Sequence, residues 1–281
     1  MKILVCFALA FALSPDVLDA SEPQRVVSLG GSLTETVFLL NAGRILVGVD
    51  TTSTFPAVAT ELPQAGYSRS LSTEGVLSLS PDLILMTDHA GPPGVVEQLK
   101  KSGIPMLMIE ELYSPEGVVN KIKAIADALG IRAEGQRQVG EFEARMETVE
   151  KIVDALPEVR VLFLFAAGGG AVSASGKMTA ADEVLHLAGG INVMDSYQGY
   201  RPLNPEAAIA AAPEVIVTTE RTLASVGGVG ELLKLPGLRG TPAGKQARVV
   251  ALEDSFLLNF GPRLPEAVEK LALGMRQGLE P

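Results

Sequence analysis

The sequence predicts an α/β protein of two similar lobes. Each lobe is expected to hold a central, mainly parallel sheet flanked by helices, and one long helix joins the lobes across a ligand cleft. A repeated pattern is the main reason: segments 72–87 and 204–219 both run from a polar residue and a glutamate, through a short apolar stretch, to proline, an acid and a β-branched or leucine-rich run ending in threonine. This pattern is typical of a short helix leading into a buried parallel strand. Two copies about a domain length apart predict two lobes related by a pseudo-twofold axis.

Strand and turn signals extend the duplication beyond this pattern. Residues 25–29 predict a strand followed by a glycine turn, and residues 160–165 predict a second strand before Gly168–Gly170. Ser32 and Glu35 have the spacing of a capping box, which predicts the start of the helix after the first strand.

The two halves are separated by a long helical segment. Helical periodicity runs almost without interruption over residues 115–156, broken only by Gly130 and Gly135, and charges of both signs alternate along it. We therefore divide the chain into a signal peptide (1–20), an N-terminal lobe (21–130), a connecting helix (131–156) and a C-terminal lobe (157–281).

The N-terminus has the pattern of a secretory signal peptide. Lys2 precedes an apolar run at 3–13, which is too short to span a membrane, and Leu18–Ala20 is an imperfect cleavage site. These features predict export to the periplasm. Cys6, the single cysteine, lies in this segment, so the mature chain would have none. Disulfides, thiol catalysis and zinc–thiolate sites are then excluded.

The composition and net charge limit which classes of protein and which partners are possible. The chain has 281 residues, of which 47% are hydrophobic and 20% charged, enough to bury two cores of ordinary size. Its formal net charge is −10. Such an acidic surface argues against nucleic acid and anionic membranes as partners.

Enzyme motifs are incomplete in this chain. Residues 170–177 resemble a phosphate-binding loop, but Ala171 stands where its first glycine belongs, and Met178 replaces the serine or threonine that would bind magnesium. The sequence contains neither a Gly-x-Ser-x-Gly elbow nor a His-Glu-x-x-His zinc motif, and it has only two histidines. We therefore expect a binding protein and not an enzyme.

Two α/β lobes joined by one long helix in an exported, acidic chain are the plan of solute-binding proteins that pass ligands to ABC-type importers. Within that class the chain resembles the periplasmic haem-binding proteins of bacterial haem importers. The resemblance implies a monomer that carries ferric haem in its interlobe cleft to an inner-membrane ABC permease dimer with its ATPase. The haem assignment depends mainly on Gly66–Arg69. The similar stretches are 25–43, 66–77, 90–93, 188–190, 199–203 and 235–238.

The resemblance implies that Tyr67 is the axial ligand of the haem iron and that Arg69 is its partner. Tyrosine phenolate is a recognised axial ligand of haem. Because an unperturbed tyrosine has a pKa of about 10, the phenolate needs stabilisation by the iron and by a neighbouring cation. Arg69 would point to the same face as Tyr67 if this segment were extended.

Three further residues are candidates for contact with haem. His89 follows the predicted strand 82–87, where ligands bind open α/β sheets, so it would approach the distal haem face or a propionate; alternatively it is an exposed loop histidine. Tyr200 would stack on the porphyrin or be an ordinary, partly buried aromatic residue. Arg221 follows the predicted strand 215–219, and the resemblance implies that this loop faces the cleft, where its guanidinium suits a carboxylate.

Glu74 and Glu206 are interpreted differently. Each lies in the first turn of a predicted helix, where the helix dipole favours a carboxylate, and this local effect explains either residue alone. Their recurrence on both lobes, together with the resemblance, implies that they dock the protein on the two subunits of the permease.

Two questions about the ligand follow from the same resemblance. A binding protein for a ferric siderophore or a cobalamin-like corrinoid is the main alternative, since such proteins share the fold and the docking glutamates. Some relatives with a histidine near the glycine turn of the second lobe hold two haems. Gly168–Gly170 has no adjacent histidine, which favours a single haem.

Overall fold

The first lobe is built on a four-stranded parallel sheet. The computed structural model describes residues 22–166 and 171–278, so the proposed signal peptide 1–20 and the turn Gly168–Gly170 lie outside the described residues. The strand order is β2-β1-β3-β4, and all three strand pairs are parallel. The elements are β1 (Val26–Leu29), α1 (Gly31–Leu39), β2 (Leu46–Val49), α2 (Thr73–Leu77), β3 (Leu83–Thr87), α3 (Pro93–Lys101), β4 (Met106–Ile109) and α4 (Pro115–Ala128).

A 23-residue helix, α5 (Arg132–Asp154), leads to the second lobe. Its sheet has the order β10-β9-β5-β6-β8, with β7 paired to β5; β5, β7, β9 and β10 pair in parallel, whereas β6 and β8 are antiparallel. The fold class predicted from the sequence is confirmed. The strands are β5 (Val159–Phe165), β6 (Ser173–Ser175), β7 (Gly190–Asn192), β8 (Tyr200–Pro202), β9 (Val215–Thr219) and β10 (Val249–Leu252), and the helices are α6 (Ala180–Leu187), α7 (Pro205–Ala211), α8 (Glu220–Val226), α9 (Val229–Leu232), α10 (Pro242–Lys245), α11 (Asp254–Leu258) and α12 (Leu264–Arg276).

The repeated pattern forms equivalent helix caps in the two lobes. The Ser72 hydroxyl accepts a hydrogen bond from the backbone N–H of Gly75 at 2.9 Å, which caps α2. The Asn204 amide oxygen accepts one from the backbone N–H of Ala207 at 2.8 Å, which caps α7. These bonds satisfy N–H groups that the first turn of a helix leaves free. The predicted polar caps are confirmed.

The acid that follows proline in each copy anchors the first strand of its sheet. The Asp82 carboxylate accepts the backbone N–H of Arg25 at 2.9 Å, and the Glu214 carboxylate accepts that of Arg160 at 2.9 Å. Both arginine side chains in turn donate to backbone carbonyls at the end of the preceding helix or just beyond it. The repetition in sequence therefore reflects one structural device used twice.

The capping box predicted from Ser32 and Glu35 is wrong. Helix α1 begins at Gly31 with Gly30 as its N-cap, and no side chain caps it. The Glu35 carboxylate, only 6% exposed, instead lies 2.9 Å from the guanidinium Nη2 of Arg263 in the other lobe. The spacing of Glu35 from Ser32 matches a capping box, but the Glu35 carboxylate instead forms an ion pair between the lobes.

The helical region between the lobes is two helices and not one. Gly130 adopts φ +72, a left-handed conformation that ends α4, and α5 starts two residues later. Gly135 lies inside α5, and a Cβ atom placed there would come within 2.4 Å of the Ala126 Cβ on α4. Glycine at this position therefore allows the two helices to pack closely.

A shared hydrophobic core connects the lobes through α5. Phe142, Met146 and Val149 of this helix are buried in one cluster with residues from β1, α1 and α4 on one side and β5, α6 and α12 on the other. A separate cluster covers the remaining face of each sheet. Within the described ranges, no helix is long and apolar enough to cross a bilayer.

A buried lysine adds a polar contact between the lobes. Lys121 on α4 is 1% exposed, and its ammonium donates to the Ser32 hydroxyl at 2.8 Å and to the backbone carbonyl of Phe260 in the second lobe at 3.1 Å. Burial lowers the pKa of Lys121, while the nearby carboxylates of Glu111 and Glu35 oppose this decrease. The charged ammonium of Lys121 is therefore stabilised by these two hydrogen bonds and by the nearby carboxylates.

Replacement of Arg263 by alanine should lower the free energy of unfolding by about 3 kcal/mol, because the buried carboxylate of Glu35 loses its cationic partner and keeps only the backbone N–H of residue 263. Urea denaturation followed by circular dichroism measures this. Arg132→Ala is the control: Arg132 pairs with Asp127 but is 73% exposed, so little change is expected. Equal effects of the two substitutions would contradict a stabilising role for the Glu35–Arg263 pair.

Replacement of Lys121 by methionine should remove a pH dependence of stability. The unfolded lysine keeps its proton up to about pH 10.4, whereas the folded one has a lowered pKa. Between these two values the unfolded state binds more protons, so stability of the unmodified protein should rise with pH. Urea unfolding from pH 7 to 10 should show this rise relative to Lys121→Met. Parallel pH profiles of the two proteins would contradict the prediction.

Candidate functional site

Tyr67 lies in the segment between β2 and α2, and 44% of its surface is exposed. The segment is not extended, because the N–H of Ser70 donates to the carbonyl of Tyr67 at 2.8 Å and closes a turn. The condition under which strand alternation would place Arg69 on the same face as Tyr67 is therefore not met. Arg69 is exposed and lies within this turn.

The turn that carries Tyr67 is fastened to the loop after β3. The N–H of Gly91 donates to the carbonyl of Ser68 at 2.9 Å, and the N–H of Leu71 donates to the carbonyl of Gly91 at 2.8 Å. Both segments lie beside the carboxyl ends of parallel strands, where open α/β sheets bind ligands. These hydrogen bonds fix the position of the turn that carries Tyr67.

His89 lies in this second loop between two carboxylates. Its Nδ1 atom is 3.5 Å from the Asp88 carboxylate and 3.7 Å from that of Glu111, and 46% of the side chain is exposed. Asp88 follows β3 and Glu111 follows β4, so the adjacent carboxyl ends of these strands bring the three groups together. The geometry fits both interpretations of His89, as a ligand contact and as an exposed loop histidine.

Tyr113 connects these residues to the second lobe. Burial raises the pKa of Tyr113, the Glu111 carboxylate adds to the increase, and the Arg69 guanidinium opposes it. Its ring packs against Phe260 of the second lobe, with ring centroids 5.5 Å apart. Tyr113 therefore lies where the two lobes meet, next to the turn that carries Arg69.

Tyr200 lies on β8 in the facing wall. Its ring packs on Phe165 with centroids 5.6 Å apart, and its backbone pairs with Ser175 of β6. Burial raises the pKa of Tyr200, the hydroxyls of Ser175 and Thr179 oppose the increase, and Tyr113 adds to it. The residue is 41% exposed. Tyr200 thus offers a partly exposed aromatic side chain beside Phe165.

Arg221 differs from its expected setting. It lies in α8, which starts directly after β9, and not in a loop. Its Nη2 and Nε atoms lie 2.7 and 2.9 Å from one oxygen of Asp254. The side chain is 73% exposed. Asp254 therefore occupies one edge of the Arg221 guanidinium. Because Asp254 lies 33 residues away, the sequence alone did not predict this pairing.

Sequence reasoning missed Lys121, which supplies a cation beneath this region. Its ammonium lies 3.8 Å from a carboxylate oxygen of Glu111, the residue that also neighbours His89. The sequence does contain a pattern that predicts burial of Lys121, because this residue lies at helical spacing on the same apolar face as Val118, Ile122 and Ile125. A lysine on such a face must be buried with partners.

The structure therefore places Tyr67 and Arg69 in one turn and fastens that turn to the loop that carries His89. Arg221 is held separately by Asp254. A cavity of about 340 Å³ also lies between the lobes, lined by Phe55, Phe256 and Arg263 among others, but by none of the predicted ligand residues. Over residues 22–166 and 171–278, no cluster of three or more His, Cys, Asp or Glu residues is arranged to hold a metal ion.

Comparison with known structures shows close similarity over nearly the whole chain. The periplasmic haem-binding protein RhuT from Roseiflexus sp. RS-1, in apo form, is 39% identical, covers 90% of this chain and 98% of its own, and superposes with a TM-score of 0.87. The periplasmic haem-binding protein BhuT, in complex with two haems, is 40% identical, covers 91% and 99% of the two chains, and has a TM-score of 0.87.

Among curated sequences, the vitamin B12-binding protein of Vibrio cholerae is 24% identical over 273 residues, which is 96% of this chain and 95% of that protein. The model of the periplasmic binding protein family matches residues 26–255, which include both sheets and the connecting helix. The repeated lobes, the shared helix and this match lead to one conclusion: the chain belongs to the periplasmic binding protein family.

Proposed function

We propose that this protein captures ferric haem in the cleft between its lobes and delivers it to an ABC permease for import. The observation that carries the proposal is the braced turn that presents an exposed Tyr67 two residues before an exposed Arg69, beside the interlobe tyrosines. The names of the structural relatives at 39% and 40% identity support it.

The chemistry of the turn suits ferric iron. Tyr67 is 44% exposed, so its phenol is accessible to a ligand. When haem binds, the iron and the Arg69 guanidinium together would stabilise the phenolate form. Arg69 also competes for the electron density of the phenolate oxygen, which keeps the iron bond reversible.

The remaining candidate residues take supporting roles in this proposal. Tyr200 packs its open ring face on the porphyrin, and His89 approaches the distal side or a propionate. Arg221 meets a propionate with its Nη1 atom, which makes no hydrogen bond with any described residue. Because Asp254 already neutralises much of this cation, its contribution to affinity is expected to be small.

A corrinoid is the second candidate ligand, favoured by the name of the Vibrio cholerae relative. That relative is less similar to this chain than the haem-binding proteins are. A ferric siderophore would present iron whose coordination is already filled and would leave the Tyr67 phenol without a role. Haem uses this residue and is therefore the preferred ligand.

We further propose that the protein works as a monomer in the periplasm, exported by the segment 1–20. Glu74 and Glu206 are exposed at the first turn of α2 and α7, and the equivalent caps of these helices place them equivalently on the two lobes. Each would meet a basic site on one subunit of the permease. Such ion pairs at the edge of an interface fix orientation more than affinity.

Replacement of Tyr67 by phenylalanine should weaken ferric haem binding by at least about 100-fold, because the iron loses its anionic ligand. Absorption titration with hemin through the Soret and charge-transfer bands measures affinity and ligation together. Tyr197→Phe is the matched control, since the Tyr197 hydroxyl donates to the backbone carbonyl of Ala174 and takes no part in the proposed site.

A parallel titration with cyanocobalamin separates the two ligand classes. Saturable binding of hemin but not of cyanocobalamin supports the proposal. Saturable binding of cyanocobalamin alone would replace haem with a corrinoid. Hemin binding that survives in Tyr67→Phe would keep haem but move the ligand role to another residue, with His89 tested next.

Charge reversal at both Glu74 and Glu206 should lower haem transfer to the reconstituted cognate permease by about tenfold or more, because like charges then face each other at the interface. Each single reversal should have a smaller effect, and hemin affinity should not change. Glu97→Lys is the control, since Glu97 is exposed on the first lobe and forms an ion pair with Lys100 of its own helix. Equal loss of transfer in the control would contradict specific docking.

A further inference from the structure

Met178 is unusual among the exposed apolar residues of this protein. It is 75% exposed, whereas the other large hydrophobic side chains that are exposed within residues 22–166 and 171–278 reach at most 49%. It stands between β6 and α6, immediately before Thr179, the N-cap of α6. A long apolar side chain in water at such a position gains nothing from folding.

The backbone of Met178 is also in an unfavourable conformation. Its φ angle is +58, the left-handed region that glycine adopts without cost and other residues rarely adopt. The conformation is fixed because the N–H of Met178 donates to the Asp182 carboxylate at 3.1 Å, and the same carboxylate accepts the side-chain amide of Asn192 at 2.8 Å. The chain thus holds a methionine where glycine would be more stable.

The position of Met178 relates it to the candidate site. The hydroxyl of the next residue, Thr179, lies 2.6 Å from that of Ser175, and Ser175 pairs with Tyr200 between β6 and β8. The Tyr200 ring in turn packs on Phe165, the last residue of β5, at the carboxyl end of a parallel strand, where open α/β sheets bind ligands. Met178 therefore lies close to the side of the second lobe that borders the cleft.

We propose that Met178 packs its thioether side chain against the face of the porphyrin opposite Tyr67 and so helps to determine affinity for a flat apolar ligand. This inference rests on the proposed haem function. Methionine suits the task because its flexible, polarisable side chain adapts to aromatic surfaces. The exposed side chain of Met178 becomes buried when haem binds. This burial contributes a favourable free energy to binding that the exposed side chain does not contribute to folding.

The test is Met178→Gly, which should change stability and affinity in opposite directions. Glycine relieves the left-handed conformation, so the thermal midpoint should rise by about 2 °C. Loss of the apolar contact should weaken hemin binding by about tenfold while the phenolate charge-transfer band from Tyr67 stays unchanged. Met178→Leu, which keeps the apolar volume, should bind hemin within about threefold of the unmodified protein.

Ala247→Gly is the matched control, because Ala247 also has a positive φ of +53 and is exposed. It should raise the thermal midpoint without changing hemin affinity. Unchanged hemin affinity in Met178→Gly would overturn this inference alone and leave the haem function intact. Absence of saturable hemin binding in the unmodified protein would overturn both together.

Discussion

The burial of α5 in both lobes is the constraint on which the rest of the structure depends. This helix of 23 residues is about 35 Å long at 1.5 Å per residue, and its residues Phe142, Met146 and Val149 belong to one core with both sheets. The lobes cannot separate without exposing that core to water, which would cost apolar contacts on both sides. The cleft is therefore largely formed before a ligand arrives.

Polar contacts reinforce this arrangement near the site. The Glu35–Arg263 pair and the bond from Lys121 to the carbonyl of Phe260 both cross from one lobe to the other. Phe260 also packs against Tyr113, so the same segment of the second lobe supports a residue of the candidate site. A binding wall built on such contacts loses little conformational freedom when the ligand binds, which favours affinity.

The fold could be predicted from sequence because its signals are local, whereas much of the site could not. The repeated caps and the acids that anchor each first strand lie within or beside the pattern they define. Ser32 and Glu35 match a capping box by spacing, yet Arg263 of the other lobe takes the carboxylate, and no local pattern announces this. Likewise, Asp254 binds Arg221 from 33 residues away. Contacts between distant segments decide how a charged side chain is used, and a single sequence does not display them.

The distribution of charge explains how an acidic protein would hold an anionic ligand and still release it. Arg263 and Arg221 are already paired with Glu35 and Asp254, so neither offers a full unpaired charge to the propionates. Arg69 is exposed and lies in the turn of Tyr67. In the proposed complex, attraction would thus be concentrated at the iron, while the propionates would meet partly neutralised cations. Loss of the single phenolate bond at the permease would then be sufficient to free the ligand, because little else in the cleft holds its charge.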